Sequence, residues 1–211
     1  VRVTSTRARD EMLQHLRQLG IRDAHVLDAM AQVPREEFVR SSDREVAYGD
    51  HALPIGEGQT ISQPYVVARM TELLDPRSTD RVLEVGTGSG YQAAVLGQLA
   101  ADVVTVERHA SLAEAARDLL ARSGYRNVRV VHGDASLGYP AKAPYDRILV
   151  TAAAPKIDPA LAAQLTPSGR LVAPVGDEEV QELVVHHANG REERHGAVRF
   201  VPLRGEAGFR S

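Results

Sequence analysis

The chain contains no cysteine. A disulfide framework and a thiolate zinc site are therefore excluded. The composition is compatible with the cytoplasm, the location expected. No apolar run approaches the roughly 20 residues of a membrane-crossing helix, so no membrane association is expected. Val1 to Glu11 is polar and charged, unlike the apolar stretch of a secretory signal. Basic tracts are also missing. Lys plus Arg total 25 against 28 Asp plus Glu, a formal net charge of −3. A dedicated nucleic-acid binder would show a basic stripe, so no nucleic-acid partner is expected. Neither an internal repeat nor a low-complexity segment is visible. The histidines show no H-x-x-x-H or H-E-x-x-H spacing, and His186 and His187 point to opposite faces of any strand. No metal is expected.

What the chain does have is concentrated in Arg81–Tyr91. An apolar, β-branched run, Arg81-Val82-Leu83-Glu84-Val85, enters the turn Gly86-Thr87-Gly88-Ser89-Gly90 and continues into a helix-like segment. Glycines there let a ligand approach the backbone, and free N–H groups at a helix start favour an anionic or polar ligand. The site is of nucleotide-cofactor type. A dinucleotide fingerprint would place its third glycine where Tyr91 stands. A Walker loop would need Gly-Lys-Ser/Thr, which is absent. Two further apolar runs end in acids: Asp102–Glu107, about twenty residues on, the distance at which an acid meets ribose hydroxyls, and Val128–His132 followed by Gly133-Asp134. This E-x-G-x-G-x-G loop with acids closing the next two strands resembles the S-adenosylmethionine-dependent methyltransferases.

The remaining pattern supports an α/β fold. Helices are expected over Arg7–Leu19 and, behind an Asp23 cap, Ala24–Gln32. Phe38 to Thr60 reads as irregular and rich in Gly, Pro and charge. A long loop of that kind in a compact domain is functional or disordered. A helix is expected over Ile61–Leu74, with Pro64 tolerable in its first turn. Strands Arg81–Val85, Asp102–Glu107, Val128–His132, Tyr145–Thr151 and Arg170–Val175 alternate with helices Tyr91–Ala100, Ser111–Arg122 and Pro159–Leu165. Such alternation makes a parallel sheet with right-handed crossovers. Strands Gln181–His187 and Ala197–Leu203, joined around Asn189-Gly190, then add an antiparallel edge. Asp177-Glu178-Glu179 and Arg191-Glu192-Glu193-Arg194 read as solvated turns. The expected fold is thus Rossmann-like and mostly parallel, with an antiparallel C-terminal edge and an N-terminal helical extension. A single domain, 1–211, is divided into the helical and substrate-loop extension (1–75), the cofactor-binding core (76–176) and the C-terminal strands (177–211).

Several motifs together narrow the family: Val33-Pro34-Arg35-Glu36-Glu37-Phe38-Val39; Tyr48-Gly49-Asp50; Leu53-Pro54-Ile55-Gly56-Glu57-Gly58-Gln59-Thr60-Ile61-Ser62; Glu84 to Ala94; Gly133-Asp134 with Leu137-Gly138-Tyr139; Pro144-Tyr145-Asp146-Arg147-Ile148; and Phe200-Val201-Pro202-Leu203. They resemble the protein-L-isoaspartate (D-aspartate) O-methyltransferases over nearly the whole chain. The Pro54-to-Ser62 run is the most specific of them. The resemblance implies a repair enzyme that methylates the carboxylate of L-isoaspartyl residues. S-adenosyl-L-methionine would be its cofactor, S-adenosyl-L-homocysteine its product, and damaged proteins and peptides its partners. A monomer is expected. Two positions depart from the family pattern: Gln63-Pro64-Tyr65 stands where Ala-Pro-His is common, and Ala135-Ser136 where Gly-Thr is common after Gly-Asp.

The expected roles follow from the chemistry. A carboxylate with a pKa of about 4 is already ionised at neutral pH, so methyl transfer needs alignment and exclusion of water rather than a general base. Ser62 is the candidate catalytic hydroxyl; its alternative role is the N-cap of the following helix. Ile55, Gln59, Thr60, Ser62, Val201, Pro202 and Leu203 are the expected substrate-side residues. Glu84, Gly86, Thr87, Gly88, Ser89, Gly90, Glu107, Asp134 and Ala135 are the expected cofactor side. Glu107 is assigned to the ribose hydroxyls and Asp134 to the adenine amino group. For Glu84 a purely structural role weighs equally. A methyltransferase for a small molecule or nucleic acid is the first alternative. Against it stand the Ile55–Ser62 run and the lack of an Asn/Asp-Pro-Pro-Tyr/Phe motif. The second is a cofactor-binding relative without catalysis, left open by Tyr65 and Ala135.

Overall fold

An apolar stripe at Met12, Leu13 and Leu16 seats the first helix, α1 (Arg2–Gln18), which starts earlier than its periodicity predicts. The computed structural model describes residues 2–209. Gly20, at φ +100°, turns the chain out of α1. The Asp23 carboxylate then accepts from the N–H groups of His25 (2.8 Å) and Val26 (3.2 Å), capping α2 (Ala24–Gln32).

Phe38–Thr60 is more ordered than expected. After 3-10 turns at Arg35–Glu37 and Ser41–Val46, β1 (Leu53–Gly56) pairs antiparallel with β2 (Gln59–Ile61). Glu57 and Gly58 form the turn, both at positive φ (51° and 69°), as a tight two-residue hairpin requires. Strands this short carry too little alternation to register in a sequence, and Glu is an uncommon opening residue for such a turn. Helix α3 (Pro64–Leu74) begins at Pro64, not Ile61.

The α/β core follows in the expected order: β3 (Arg81–Val85), α4 (Tyr91–Leu99), β4 (Asp102–Glu107), α5 (Ala110–Arg122), β5 (Val128–His132), β6 (Tyr145–Val150), α6 (Pro159–Ala162), β7 (Leu165–Gly176), β8 (Gln181–His187) and β9 (Glu192–Val198). The sheet order is β5-β4-β3-β6-β7-β8-β9. Pairings from β5 to β7 are parallel, and β7–β8 and β8–β9 are antiparallel. Strand order reverses between β3 and β6, the switch point at which ligands settle in open α/β sheets.

One expected strand moves. Of Ala197–Leu203 only Ala197 and Val198 are strand; β9 occupies Glu192–Val198, with His186 opposite Glu192 and Gln181 opposite Val198. The Asn189-Gly190 turn is tight enough that pairing resumes almost at once. The charged Arg191–Arg194 run thus lies largely within an exposed edge strand, where charge is tolerated and blocks further pairing. Residues 199–203 leave the sheet. Val201 C=O accepts from Ala153 N–H (2.8 Å) and Leu203 N–H donates to Ala153 C=O (2.7 Å), so this segment lies beside the end of β6.

Side-chain alternation divides the core. Val82, Val103, Leu149 and Val172 face α3 and α4, while Leu83, Val104, Ile148 and Leu171 face the opposite layer. The N-terminal helices share a buried apolar cluster with α4 and α5, in which Leu16 and Met30 are fully enclosed. Removing the α2 cap should be felt by the whole unit. Asp23→Ala is expected to cost about 1 kcal/mol and to lower the thermal midpoint by about 2–4 °C for a chain of this length. An unchanged midpoint in a calorimetric scan would show that α2 does not depend on its cap.

Candidate active site

At the carboxyl ends of β3, β4 and β6 the backbone opens a cleft. Its floor is the glycine turn after β3, in which Gly86, Gly88 and Gly90 all have positive φ (99°, 53° and 87°). A Cβ at Gly86 would lie 2.5 Å from the Thr151 hydroxyl, and one at Gly90 would crowd Leu120 and Ala116 of α5. Glycine is thus demanded here by the turn and its packing against protein, beyond any need to admit a ligand. Gly88 alone faces the hairpin, where a Cβ would stand 3.3 Å from Ile55 Cδ1.

Glu107, the last residue of β4, is buried in the cleft wall. Its Oε2 accepts from Gly88 N–H and its Oε1 from His109 N–H, each at 2.9 Å. A carboxylate offers about four lone-pair sites, so both oxygens retain capacity for ligand hydroxyls. The hairpin closes one side of the cleft: Ser111 of α5 donates to Glu57 Oε1 at 2.6 Å. Thr151, just past β6, donates to the carbonyls of Gly86 (2.6 Å) and Val85 (2.9 Å) and lines the cleft. Thr151 was legible from the rule that ligands meet the carboxyl ends of parallel strands.

Beneath the turn lies a buried polar chain. Thr87 donates to Thr105 Oγ1 (2.6 Å), and Thr105 donates to Glu84 Oε2 (2.5 Å). Glu84 is fully enclosed, and its Oε1 has no partner among the described residues. Burial raises its pKa, the Thr105 bond opposes this, and the charge of Glu107 adds to it, leaving Glu84 at about 8. Glu84 therefore holds a proton at neutral pH and supports the turn from below, outside the cleft lining.

Six of the seven residues expected on the substrate side share one cleft with residues expected on the cofactor side. Gln59, Thr60, Ser62, Val201, Pro202 and Leu203 line the same cleft as Gly86, Thr87, Gly88, Ser89, Glu107 and Ala135. Ser62 is not the cap of α3. That position belongs to Gln63, which makes no side-chain cap bond, and the Tyr65 N–H is taken by Asp50 Oδ1 at 2.8 Å. The Ser62 hydroxyl has no partner among the described residues. Phe200 and Gln92, which fall within the resemblance motifs, and Arg108 and His109, which no motif marks, also line the cleft.

Besides Glu84, three expected residues stand apart from the lining. Ile55 and Gly90 pack around the turn rather than facing the cleft. Asp134 is exposed, with Oδ1 accepting from Ser136 N–H (2.8 Å) and Oδ2 from Glu206 N–H (2.9 Å). Partial burial pushes its pKa up, but these bonds outweigh it and hold it below the usual carboxylate range. Its carboxylate fastens the C-terminal segment beside the cleft, while its neighbours Gly133 and Ala135 form the wall. Among the described residues, no His/Asp/Glu group is arranged to hold a metal ion.

The Glu84 proton has a thermodynamic consequence. Its folded pKa lies above its unfolded value, so between about pH 4.5 and 8 the native state keeps a proton that the unfolded chain releases. Stability from this site is complete at the acid end and is lost as pH rises through the window. Urea unfolding should show the wild type losing stability relative to Glu84→Gln by up to about 1.4 kcal/mol per pH unit. Parallel pH profiles would mean that Glu84 is ionised when folded.

Comparison with known proteins agrees with this geometry. Residues 7–208 match the family model for protein-L-isoaspartate(D-aspartate) O-methyltransferase. A protein-L-isoaspartate O-methyltransferase of Methanoculleus marisnigri is 56% identical over 207 residues, covering 96% of this chain and 94% of that one. Its counterpart from Methanopyrus kandleri is 53% identical over 212 residues, with the same coverage. A solved protein-L-isoaspartate O-methyltransferase structure superimposes with a TM-score of 0.85 at 29% identity, covering 95% of this chain and 67% of that one. The fold is shared at 24% identity and a TM-score of 0.80 with a Plasmodium falciparum structure assigned to the same activity, in complex with S-adenosyl-L-homocysteine. That alignment covers 92% of this chain and 97% of the other. The chain belongs to the protein-L-isoaspartate (D-aspartate) O-methyltransferase family.

Proposed function

We propose that this cleft transfers a methyl group from S-adenosyl-L-methionine to the free carboxylate of L-isoaspartyl residues in damaged proteins and peptides, with Ser62 orienting the carboxylate. The observation that carries the reading is the Ser62 hydroxyl. Ser62 lines the cleft of the glycine turn and Glu107, its hydroxyl bonds to no other described residue, and Asp50 takes the helix-capping bond in its place.

The residues present fit the methyl donor. Glu107 keeps lone pairs free for ribose hydroxyls, the turn backbone suits the polar amino-acid end, and Val106, Ala135 and Leu203 give apolar wall to a base. When bound, S-adenosyl-L-methionine supplies an electrophilic methyl on a positively charged sulfur. Asp134 acts one residue away, by holding the C-terminal segment that completes the wall. The substrate carboxylate is ionised at neutral pH, so no residue has to remove a proton. Ser62 donates a hydrogen bond that fixes the attacking oxygen in line. The Thr60–Ser62 and Val201–Leu203 segments flank the polypeptide and exclude water. The lack of a basic stripe on a chain of net charge −3 supports a protein rather than a nucleic-acid substrate. Among the described residues no helix is long and apolar enough to cross a membrane. The apolar cluster shared between the N-terminal helices and α4 and α5 supports one domain over 1–211 rather than separable parts.

Loss of an aligned positioning bond costs on the order of 2–3 kcal/mol, about a hundredfold in rate. Ser62→Ala should therefore slow methylation of an isoaspartyl peptide by about that factor, with an unchanged melting temperature because Ser62 caps nothing. Turnover within about threefold of wild type would remove Ser62 from the chemistry.

A further inference from the structure

Arg35 is the largest fully buried side chain of the protein's described residues, and no carboxylate forms an ion pair with it. Its Nε donates to the Ala47 carbonyl and its Nη2 to the Ser62 carbonyl, both at 2.7 Å. The guanidinium carbon lies 4.8 Å from the centre of the Tyr91 ring. Nη1 and the Tyr91 hydroxyl are both buried, and among the described residues neither makes a hydrogen bond of normal geometry.

A buried cation without an ion pair is not a device for stability, because desolvation is only partly compensated by neutral acceptors and a π face. Its geometry has another use. Ala47 closes the 3-10 turn Ser41–Val46, Ser62 directly follows β2, and Tyr91 is the first residue of α4, directly after the glycine turn. One rigid, planar group therefore touches both the segment that carries Ser62 and the helix that carries the turn. A lysine offers a point charge on a flexible stem and cannot serve two carbonyls and a ring at once. On the other side, Asp50 holds Tyr65 N–H, so Ser62 is pinned between two buried or half-buried contacts while its hydroxyl stays available.

We propose that Arg35 is a positioning residue: it fixes the Ser62 backbone against the first turn of α4 and so sets where the Ser62 hydroxyl stands relative to the methyl donor. This rests on the reading of Ser62 as the orienting hydroxyl. It also gives a function to the Val33–Val39 motif, which lies outside the cleft and which the cleft chemistry leaves without a role.

The test is a double-mutant cycle. Arg35→Lys is made in the wild-type and Ser62→Ala backgrounds, and single-turnover methylation of an isoaspartyl peptide is measured with S-adenosyl-L-homocysteine affinity and thermal midpoint. Expected is a loss of about tenfold in the wild-type background, less than about twofold in the Ser62→Ala background, and cofactor-product affinity within about twofold throughout. Equal losses in both backgrounds would overturn the inference and leave the Ser62 reading intact, as would a wild-type rate for Arg35→Lys alone. A wild-type rate for Ser62→Ala alone would remove the Ser62 reading and the inference with it. If lysine at 35 does not fold, Tyr91→Leu removes the ring on which Arg35 rests and is held to the same comparison.

Discussion

The Glu107 carboxylate holding Gly88 N–H is the contact around which the site is organised. It ties the turn after one central strand to the end of its parallel neighbour, and a second bond to His109 fixes the start of the next crossover. A glycine turn with left-handed residues has few bonds of its own. Gly86 N–H donates to Val106 C=O and Gly90 N–H to Thr87 C=O, both at 2.9 Å, and the acid adds the tie at Gly88 between them. The same carboxylate lines the cleft and, with about four lone-pair sites, has acceptor capacity beyond those two bonds.

Other polar groups extend this pinning. The Glu84–Thr105–Thr87 chain supports the turn from the sheet interior. Thr151 ties it to β6, and Asp134 fastens the C-terminal segment. Each sits at a strand end or loop, where backbone groups lack ladder partners and a side chain has to supply them. The site is thus assembled from ordinary accounting of hydrogen bonds at the open end of a parallel sheet. Its chemistry asks little more than alignment, since the nucleophile arrives ionised.

How much of this the sequence reveals depends on whether a residue acts locally. β3 and β4 were legible because buried parallel strands are short apolar runs. The Asp23 cap was legible because capping spans three residues. The β1–β2 hairpin was hidden by its shortness, and β9 by the charge an edge strand can carry. Gln59 to Ser62 and Val201 to Leu203 were marked only by family resemblance, and they meet at the cleft although well over a hundred residues separate them. Asp50 and Arg35 act through tertiary contacts, to a helix start and to a carbonyl, which no spacing announces. Asp134, two residues past β5, also accepts from the backbone N–H groups of Ser136 and Glu206, contacts that its place in the sequence does not announce.

The central claim is that the cleft recognises a misplaced carboxylate and methylates it. The most direct measurement is transfer of labelled methyl from S-adenosyl-L-methionine to an isoaspartyl peptide and to its twin with normal aspartate at the same position. The isoaspartyl peptide should be labelled, with S-adenosyl-L-homocysteine released in step, and the normal twin should remain unlabelled. Equal labelling of the two, or none of either by a folded protein that binds S-adenosyl-L-homocysteine, would contradict it.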